Sequence, residues 1–490
     1  MKRRILPVFF LLLGAFAFTP PENGLQAVFE RINQDVLQRG KAYETLGEAT
    51  STIGHRLTGS PNGKKAEEFA FNLLKSYGYD VKFQEFNVEA WARDTVSLTL
   101  VPENSDNFVD YEVVALAHSP VSSHITGKIV DVGDGLEDDF EKVKDEVKDK
   151  VALFNINIQD EKNKGKKNLH RSEKTALAIK YGAKGVIIAN AVEGGVLLTG
   201  TASVTGELIP IPAVCVSVES GKSIRKWIKD EKNILAVIDM MNFSRPIKAR
   251  NVIATLPGTS KKHKNEKIIV GGHLDSWDLA QGAMDNGVGS FSIMDIARVF
   301  KQLNLQTKRP IEFVLFMGEE QGLLGSRHMV KELEKSKKIK NVKLMMNMDM
   351  TNNVRGFSAG GNDALKTKME EIGKIIQQVD PSYGNAVSNG VGLHSDHQPF
   401  MISGVPISSP SGSFPIKAYG CYHANCDRFD LIDKNHINNN VRYTAMMLYA
   451  LANEETLPTQ FRSSNETKEF LIKHNLKTEL IIGKDWKWEE

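Results

Sequence analysis

GGHLDSWDLAQGAMDNG, residues 271–287, is the stretch on which the reading of this chain turns. A short apolar strand, 267–270, leads into it, and helical periodicity over 287–303 leads out of it. The same alternation continues downstream. Strands are expected at 311–317, 343–348 and 405–408, and helices at about 322–335, 363–379 and 434–453. Strands alternating with helices predict an α/β domain, a mostly parallel mixed sheet flanked by helices. Ligands in such folds bind beyond the carboxyl ends of the strands.

Upstream, residues 24–52 read as helical. Residues 62–77 carry Ala66, Phe69, Ala70, Leu73 and Leu74 at helical spacing. Residues 81–88 and 96–100 read as half-buried strands. The texture changes over 121–247, where strand-like pieces (128–132, 151–155, 184–189, 211–216, 234–239) are interrupted by one amphipathic helix near 172–182. Charge-laced residues 140–150 predict a solvated surface helix. This segment gathers no His, Asp or Glu constellation, so it is expected to be a β-rich, non-catalytic insert. The resulting division is 1–17, 18–120, 121–247, 248–455 and 456–490. The last piece reads as an appended tail whose Trp486 and Trp488 have no assigned role.

A chain of 490 residues exceeds what one core usually organises, which agrees with two domains. A net charge of +2 gives no electrostatic footprint for nucleic acid. Lys2, Arg3 and Arg4 precede an apolar run over 5–18, and Ala15-Phe16-Ala17 fits the small-x-small cleavage pattern. These features predict a cleavable signal peptide over 1–17, a secreted or periplasmic product, and no stable membrane association afterwards. The apolar run is short for a span, although an uncleaved anchor stays open. Three cysteines exclude a disulfide framework. Cys215 lies in an apolar run and reads as a buried hydrophobe, whereas Cys421 and Cys426 bracket His423 and their pairing is left open.

Metal-type ligands recur just past successive strands. His273 follows the first and Asp285 lies in the Gly-rich loop after it. Glu319 and Glu320 follow the second strand, Asp349 the third, and His423 lies beyond the fourth. Neutral imidazoles and carboxylates suit zinc, and one carboxylate can be shared by two ions about 3.5–4 Å apart. Another carboxylate must stay off the metal to accept a proton, and the adjacent Glu319 and Glu320 offer that division. Asp275, two residues past His273, is placed to fix the imidazole tautomer. Each piece alone has an ordinary structural explanation; their convergence on one rim of one domain favours a metal site.

These residues resemble a known family. The stretch 271–287 is similar to the metal-binding signature of the zinc exopeptidases that include carboxypeptidase Q, bacterial leucyl aminopeptidases and glutamate carboxypeptidase. MGEEQGLLGS (317–326), MNMDM (346–350), SDHQPF (395–400) and CYHANCD (421–427) match in the same order. GHRLTGSPNGKKAEEF (54–69) extends the resemblance toward the carboxypeptidase Q branch. The resemblance implies two zinc ions, with Asp285 bridging, His273 and Asp349 on one, and Glu320 and His423 on the other. It implies Glu319 as the general base for a water held at the metal pair, and Asp275 as the partner of His273. It also implies that the insert is a protease-associated domain, that short peptides are the substrates, and that a homodimer is to be looked for.

Asn286 departs from the Asp-Asp usual in carboxypeptidase Q and matches the aminopeptidase relatives, so carboxypeptidase or dipeptidase action and aminopeptidase action both stay open. A non-catalytic receptor-like protein on a peptidase fold and a single-zinc glutaminyl cyclase are further readings. The complete ligand set disfavours the first, and the insert together with that set disfavours the second. His394, Asp396 and His397 read as pocket wall or as residues supporting the ligands from behind, rather than as zinc ligands.

Overall fold

The computed structural model describes residues 24–103, 107–230 and 233–489. The expected signal peptide over 1–17 lies outside the described residues. Strands alternate with helices as expected downstream of residue 250, and a single mixed sheet runs through both parts of the chain. At its centre Lys267–His273 pairs in parallel with Ile311–Phe316 on one side and Val342–Asn347 on the other. Ile407–Ser411 extends the parallel run beyond Val342–Asn347. The helix Val288–Gln302 covers this centre and is buried continuously through Phe300.

Gly272 is needed at the end of the central strand. A Cβ there would lie 2.3 Å from Met348 O, in backbone that cannot move aside cheaply. The neighbouring strand can therefore close in, with Met348 N–H donating to Gly271 O at 2.8 Å. That close approach brings the ends bearing His273 and Asp349 together.

The sequence reading divides one element that is continuous. Residues 81–88 and 96–100 belong to a single strand, Asp80–Pro102, paired antiparallel along Ile234–Leu256 with an irregularity between Arg93 and Thr95. Residues 89–95 between the two pieces lie on a two-stranded ribbon, where ladder bonds to a single partner keep them extended. Ile234–Leu256 also pairs with Ile311–Phe316 at one end and Ser122–Asp131 at the other, so the ribbon joins the two parts of the molecule.

The inserted part continues in parallel from Ser122–Asp131 through Val151–Asn155, Gly185–Ala189 and Ala213–Val216. The expected helix is Arg171–Lys180, and a second, Val218–Asp230, was not expected. Residues 140–150 fall in two short helices, Glu137–Lys142 and Lys144–Val147, with Phe140 and Val147 buried in the insert's core. Residues 24–52 form two helices that break at Gly40-Lys41. Among the described residues, no helix is long and apolar enough to cross a membrane.

The C-terminal stretch is also different from expectation. It folds into helices Ser464–Lys473 and Lys477–Ile482. Phe470, Leu471, Leu476 and Leu480 are buried against Met401, Ile402 and Ile407, with Trp486 and Trp488 packed on the same cluster. Four such side chains contribute on the order of 1.5–3 kcal/mol each, enough to dock a segment that reads as a tail.

Candidate metal centre and cleft

The site is built from strand ends. His273 is the last residue of its strand, Glu319 and Glu320 follow Ile311–Phe316, and Asp349 follows Val342–Asn347. His423 sits in left-handed backbone at φ 53° in the loop after Ile416–Tyr419. The structure brings all of these side chains to one cleft of about 450 Å³.

Asp285 faces both imidazoles. Its Oδ1 is 3.2 Å from His273 Nε2 and its Oδ2 is 3.0 Å from His423 Nε2. His273 Nε2 is also 3.3 Å from Asp349 Oδ1, and His423 Nε2 is 3.0 Å from Glu320 Oε2. Two groups of donors therefore share one carboxylate. Burial acts to raise Asp285, but hydrogen bonds to the two histidines hold it well below the ordinary carboxylate value. Burial, and then the charges of Asp349 and Glu320, push Glu319 well above it, against the pull of His273.

Whether this cradle fits metal can be judged from its chemistry. Ligand atoms of His273, Asp285 and Glu320 all lie within 4.8 Å of one another, and all three residues are buried. Glu320 Oε1 is buried without a hydrogen-bond partner. Asp285, Glu319, Glu320 and Asp349 have no lysine or arginine within ion-pair distance among the described residues. Buried carboxylates without a counter-cation are costly, and the mixed N/O set suits zinc. The residues fit the metal.

Supporting contacts explain why these side chains point inward. His273 Nδ1 lies 3.0 Å from the Asp275 backbone oxygen and 3.7 Å from its carboxylate. The carboxylate expected to fix the tautomer instead accepts from Thr58 Oγ1 at 3.0 Å and Glu319 N–H at 3.3 Å, and the carbonyl serves the imidazole. Asn286 donates through Nδ2 to Met348 O at 2.9 Å and His273 O at 3.2 Å, and accepts Met350 N–H at 3.0 Å. Aspartate has no donor for the two carbonyls, which is a local reason for Asn at this position. Ser395 donates to Asp349 Oδ2 at 2.6 Å. The Glu319 carboxylate accepts no hydrogen bond among the described residues and lines the cleft.

Of the three residues read as pocket wall, His394 lines the cleft and stacks on His170 of the insert at 4.9 Å. Burial pushes the Asp396 carboxyl up to about 7. His397 Nε2 donates to Gly392 O at 3.0 Å. Cys421 and Cys426 are joined in a disulfide around His423, and Cys215 is buried and free.

Several functional residues escape the sequence reading. Asp427 accepts Met284 N–H at 2.7 Å and Asp285 N–H at 3.0 Å, so it holds the backbone that presents the shared carboxylate. Arg56 is fully buried and donates to Gln281 O at 2.8 Å and Gly282 O at 2.7 Å in the same loop. Both residues lie inside stretches quoted for the family resemblance, and only the contact partner reveals their work. Arg171 of the insert lines the cleft, with Nη2 2.8 Å from His423 Nδ1. It is 4% exposed, its Nε has no acceptor, and no carboxylate pairs with it among the described residues. Gly200 makes the space, because a Cβ there would fall 1.9 Å from that Nε. The insert expected to be non-catalytic thus contributes a buried cation to the cleft.

The model for Peptidase family M28 matches residues 251–448, and the PA domain model matches residues 119–224. The chain is a metallopeptidase that carries an M28 peptidase domain with a PA domain inserted. Mouse carboxypeptidase Q is 26% identical to this chain over 426 residues, covering 86% of the chain and 87% of the relative. Aminopeptidase YwaD of Bacillus subtilis strain 168 is 26% identical over 484 residues, 96% of each chain. The Shewanella amazonensis SB2B peptidase M28 precursor shares the fold, with a TM-score of 0.72 at 23% identity over 90% of this chain and 98% of its own.

Proposed function

We propose that this M28 peptidase is a dizinc exopeptidase of the carboxypeptidase or dipeptidase kind, acting on dipeptides and short peptides. The observation that carries the two-ion reading is Asp285, which turns one oxygen to each of two imidazoles. His273 and Asp349 would hold one ion, Glu320 and His423 the other, with Asp285 shared. Four carboxylates beside two neutral imidazoles amount to a charge that two divalent ions would offset. When bound, zinc would polarise the scissile carbonyl and make water a better nucleophile. Glu319, free of hydrogen bonds, would take the proton of the attacking water and return it to the leaving amine. Asp275 would act on His273 through its backbone oxygen, keeping Nδ1 protonated and Nε2 free as a ligand.

Arg171 supports release from the carboxyl end. The cleft is also lined by Glu173, Glu479 and Asp485; Lys167 neutralises Glu479, Arg327 neutralises Asp485, and Glu173 accepts the His170 backbone N–H at 2.7 Å. Among the described residues Arg171 has no carboxylate partner, and it is placed to receive a substrate's terminal carboxylate. Aminopeptidase action is the second reading, favoured by the relative that matches 96% of the chain under that name. One peptide series blocked at either end separates them. C-amidation should abolish cleavage and N-acetylation should be tolerated; the reverse pattern would establish the aminopeptidase reading. We further read the protein as exported, because a Cys421–Cys426 disulfide suits an oxidising compartment.

A further inference from the structure

The C-terminal segment lies past the residues matched by the M28 model, yet it walls the cleft. Glu479, Leu480, Gly483 and Asp485 line the same cavity as the candidate metal ligands. The segment is anchored on both sides of that cavity. On the peptidase side, Asp485 takes a two-pronged ion pair from Arg327, at 2.5 and 2.7 Å, and a hydrogen bond from Gln398 at 2.7 Å. Within the segment, Trp488 Nε1 donates to Ser464 Oγ of the preceding helix at 2.9 Å. On the insert side, Glu479 pairs with Lys167 at 2.5 Å, and Ile482 packs on the insert's core.

A segment fixed at both walls of a cleft restricts what can extend through it. The volume of about 450 Å³ lies low in the ~300–1,000 Å³ range of small-molecule pockets, room for a short peptide rather than an extended chain. The polar groups of the strap that face the cleft are already neutralised by Arg327 and Lys167, which leaves shape as its contribution.

We propose that residues 476–488 are a strap that closes one side of the cleft and sets the length of peptide it accepts, admitting dipeptides and disfavouring tetrapeptides. The inference rests on the peptidase reading above. Gly483 tests it by added bulk. Its backbone (φ −72°, ψ −2°) is ordinary for any residue, and a Cβ would approach only Glu479 O, at 3.1 Å. Gly483→Leu therefore adds bulk at a residue that lines the cleft, at the cost of a shift of a few tenths of an ångström from Glu479 O. Asp485→Ala removes the anchor to Arg327 and Gln398. Lys167→Ala, at a side chain that is 55% exposed, releases Glu479 from the insert side.

The readout is the ratio of kcat/KM for tetra-alanine to that for di-alanine, measured on full-length zinc-loaded protein. The ratio is internal to each preparation, so loss of folded enzyme cancels. Gly483→Leu should lower it at least tenfold, mainly through KM for the longer peptide. Asp485→Ala and Lys167→Ala should raise it, by at least fivefold in the stronger of the two. Ratios within twofold of wild type in all three variants overturn the strap. Equal losses on both peptides also overturn it, because they describe a segment that only stabilises the fold. Failure of the underlying reading looks different: wild-type protein would cleave neither peptide.

Discussion

Replacing Asp427 should weaken metal binding although Asp427 is placed on no ion. Its two oxygens accept the N–H groups of Met284 and Asp285 at 2.7 and 3.0 Å, and the residue is 3% exposed. Asp427→Asn keeps one acceptor and turns an NH2 group toward the other N–H. A buried donor left without an acceptor costs about 1–3 kcal/mol. Asp427→Ala strands both N–H groups, or about 2–6 kcal/mol on the same scale. If that cost falls on the conformation that presents Asp285, zinc affinity drops roughly 5- to 150-fold for Asn and further for Ala. Competition against a chelator of known zinc affinity measures this, with thermal melting of the metal-free protein alongside. Unchanged zinc affinity in Asp427→Ala would refute the reasoning, and so would a fall in melting temperature with affinity intact, because Asp427 would then support the fold and not the site.

Glu319→Gln should retain zinc and lose turnover by about 10²–10⁴-fold, since only the proton acceptor is removed; full activity in a zinc-replete variant would reassign the base. Reducing the Cys421–Cys426 disulfide frees a loop that holds His423 in left-handed backbone. With such crosslinks contributing typically ~2–4 kcal/mol, zinc should be lost faster on dialysis of the Cys421→Ser/Cys426→Ser protein, which metal analysis follows over time. Asp134 offers a pH test in the insert. Burial acts to raise it, but the Asn155 and Asn163 side chains and the N–H groups of Gln159 and Asp160 hold it down at about 2. A depressed carboxyl stabilises the fold above its ordinary value near 3.8, and the contribution disappears as pH falls toward about 2. Amide exchange over 156–168 should accelerate across that window, and Asp134→Asn should flatten the dependence.

The parts of this molecule that were legible in sequence are those whose signal is local. Val288–Gln302 announces itself by helical periodicity, and the candidate ligands announce themselves by following apolar strands at His273, Glu320 and Asp349. The parts that were not legible depend on a partner far along the chain. The ribbon strand Asp80–Pro102 is continuous because Ile234–Leu256 lies beside it, and the mixed sequence of residues 89–95, which breaks the alternation, gives no such sign. Residues 456–490 look like a tail because their apolar side chains are few, yet Met401, Ile402 and Ile407 provide the complementary surface. Arg171 is an ordinary first-turn helix residue until the fold sets it 252 positions away in sequence from His423, at 2.8 Å. Asp275 shows the same limit at short range: spacing brought it to His273, but which of its oxygens meets the imidazole is settled by Thr58 and Glu319, which engage the carboxylate.

The division of four side chains around one shared carboxylate is tested most directly by counting zinc. Protein loaded with zinc and dialysed against metal-free buffer should hold two ions per chain, and Asp285→Ala should hold fewer than one, because both donor groups lose the oxygen they share. A single ion per wild-type chain that survives Asp285→Ala would contradict the account.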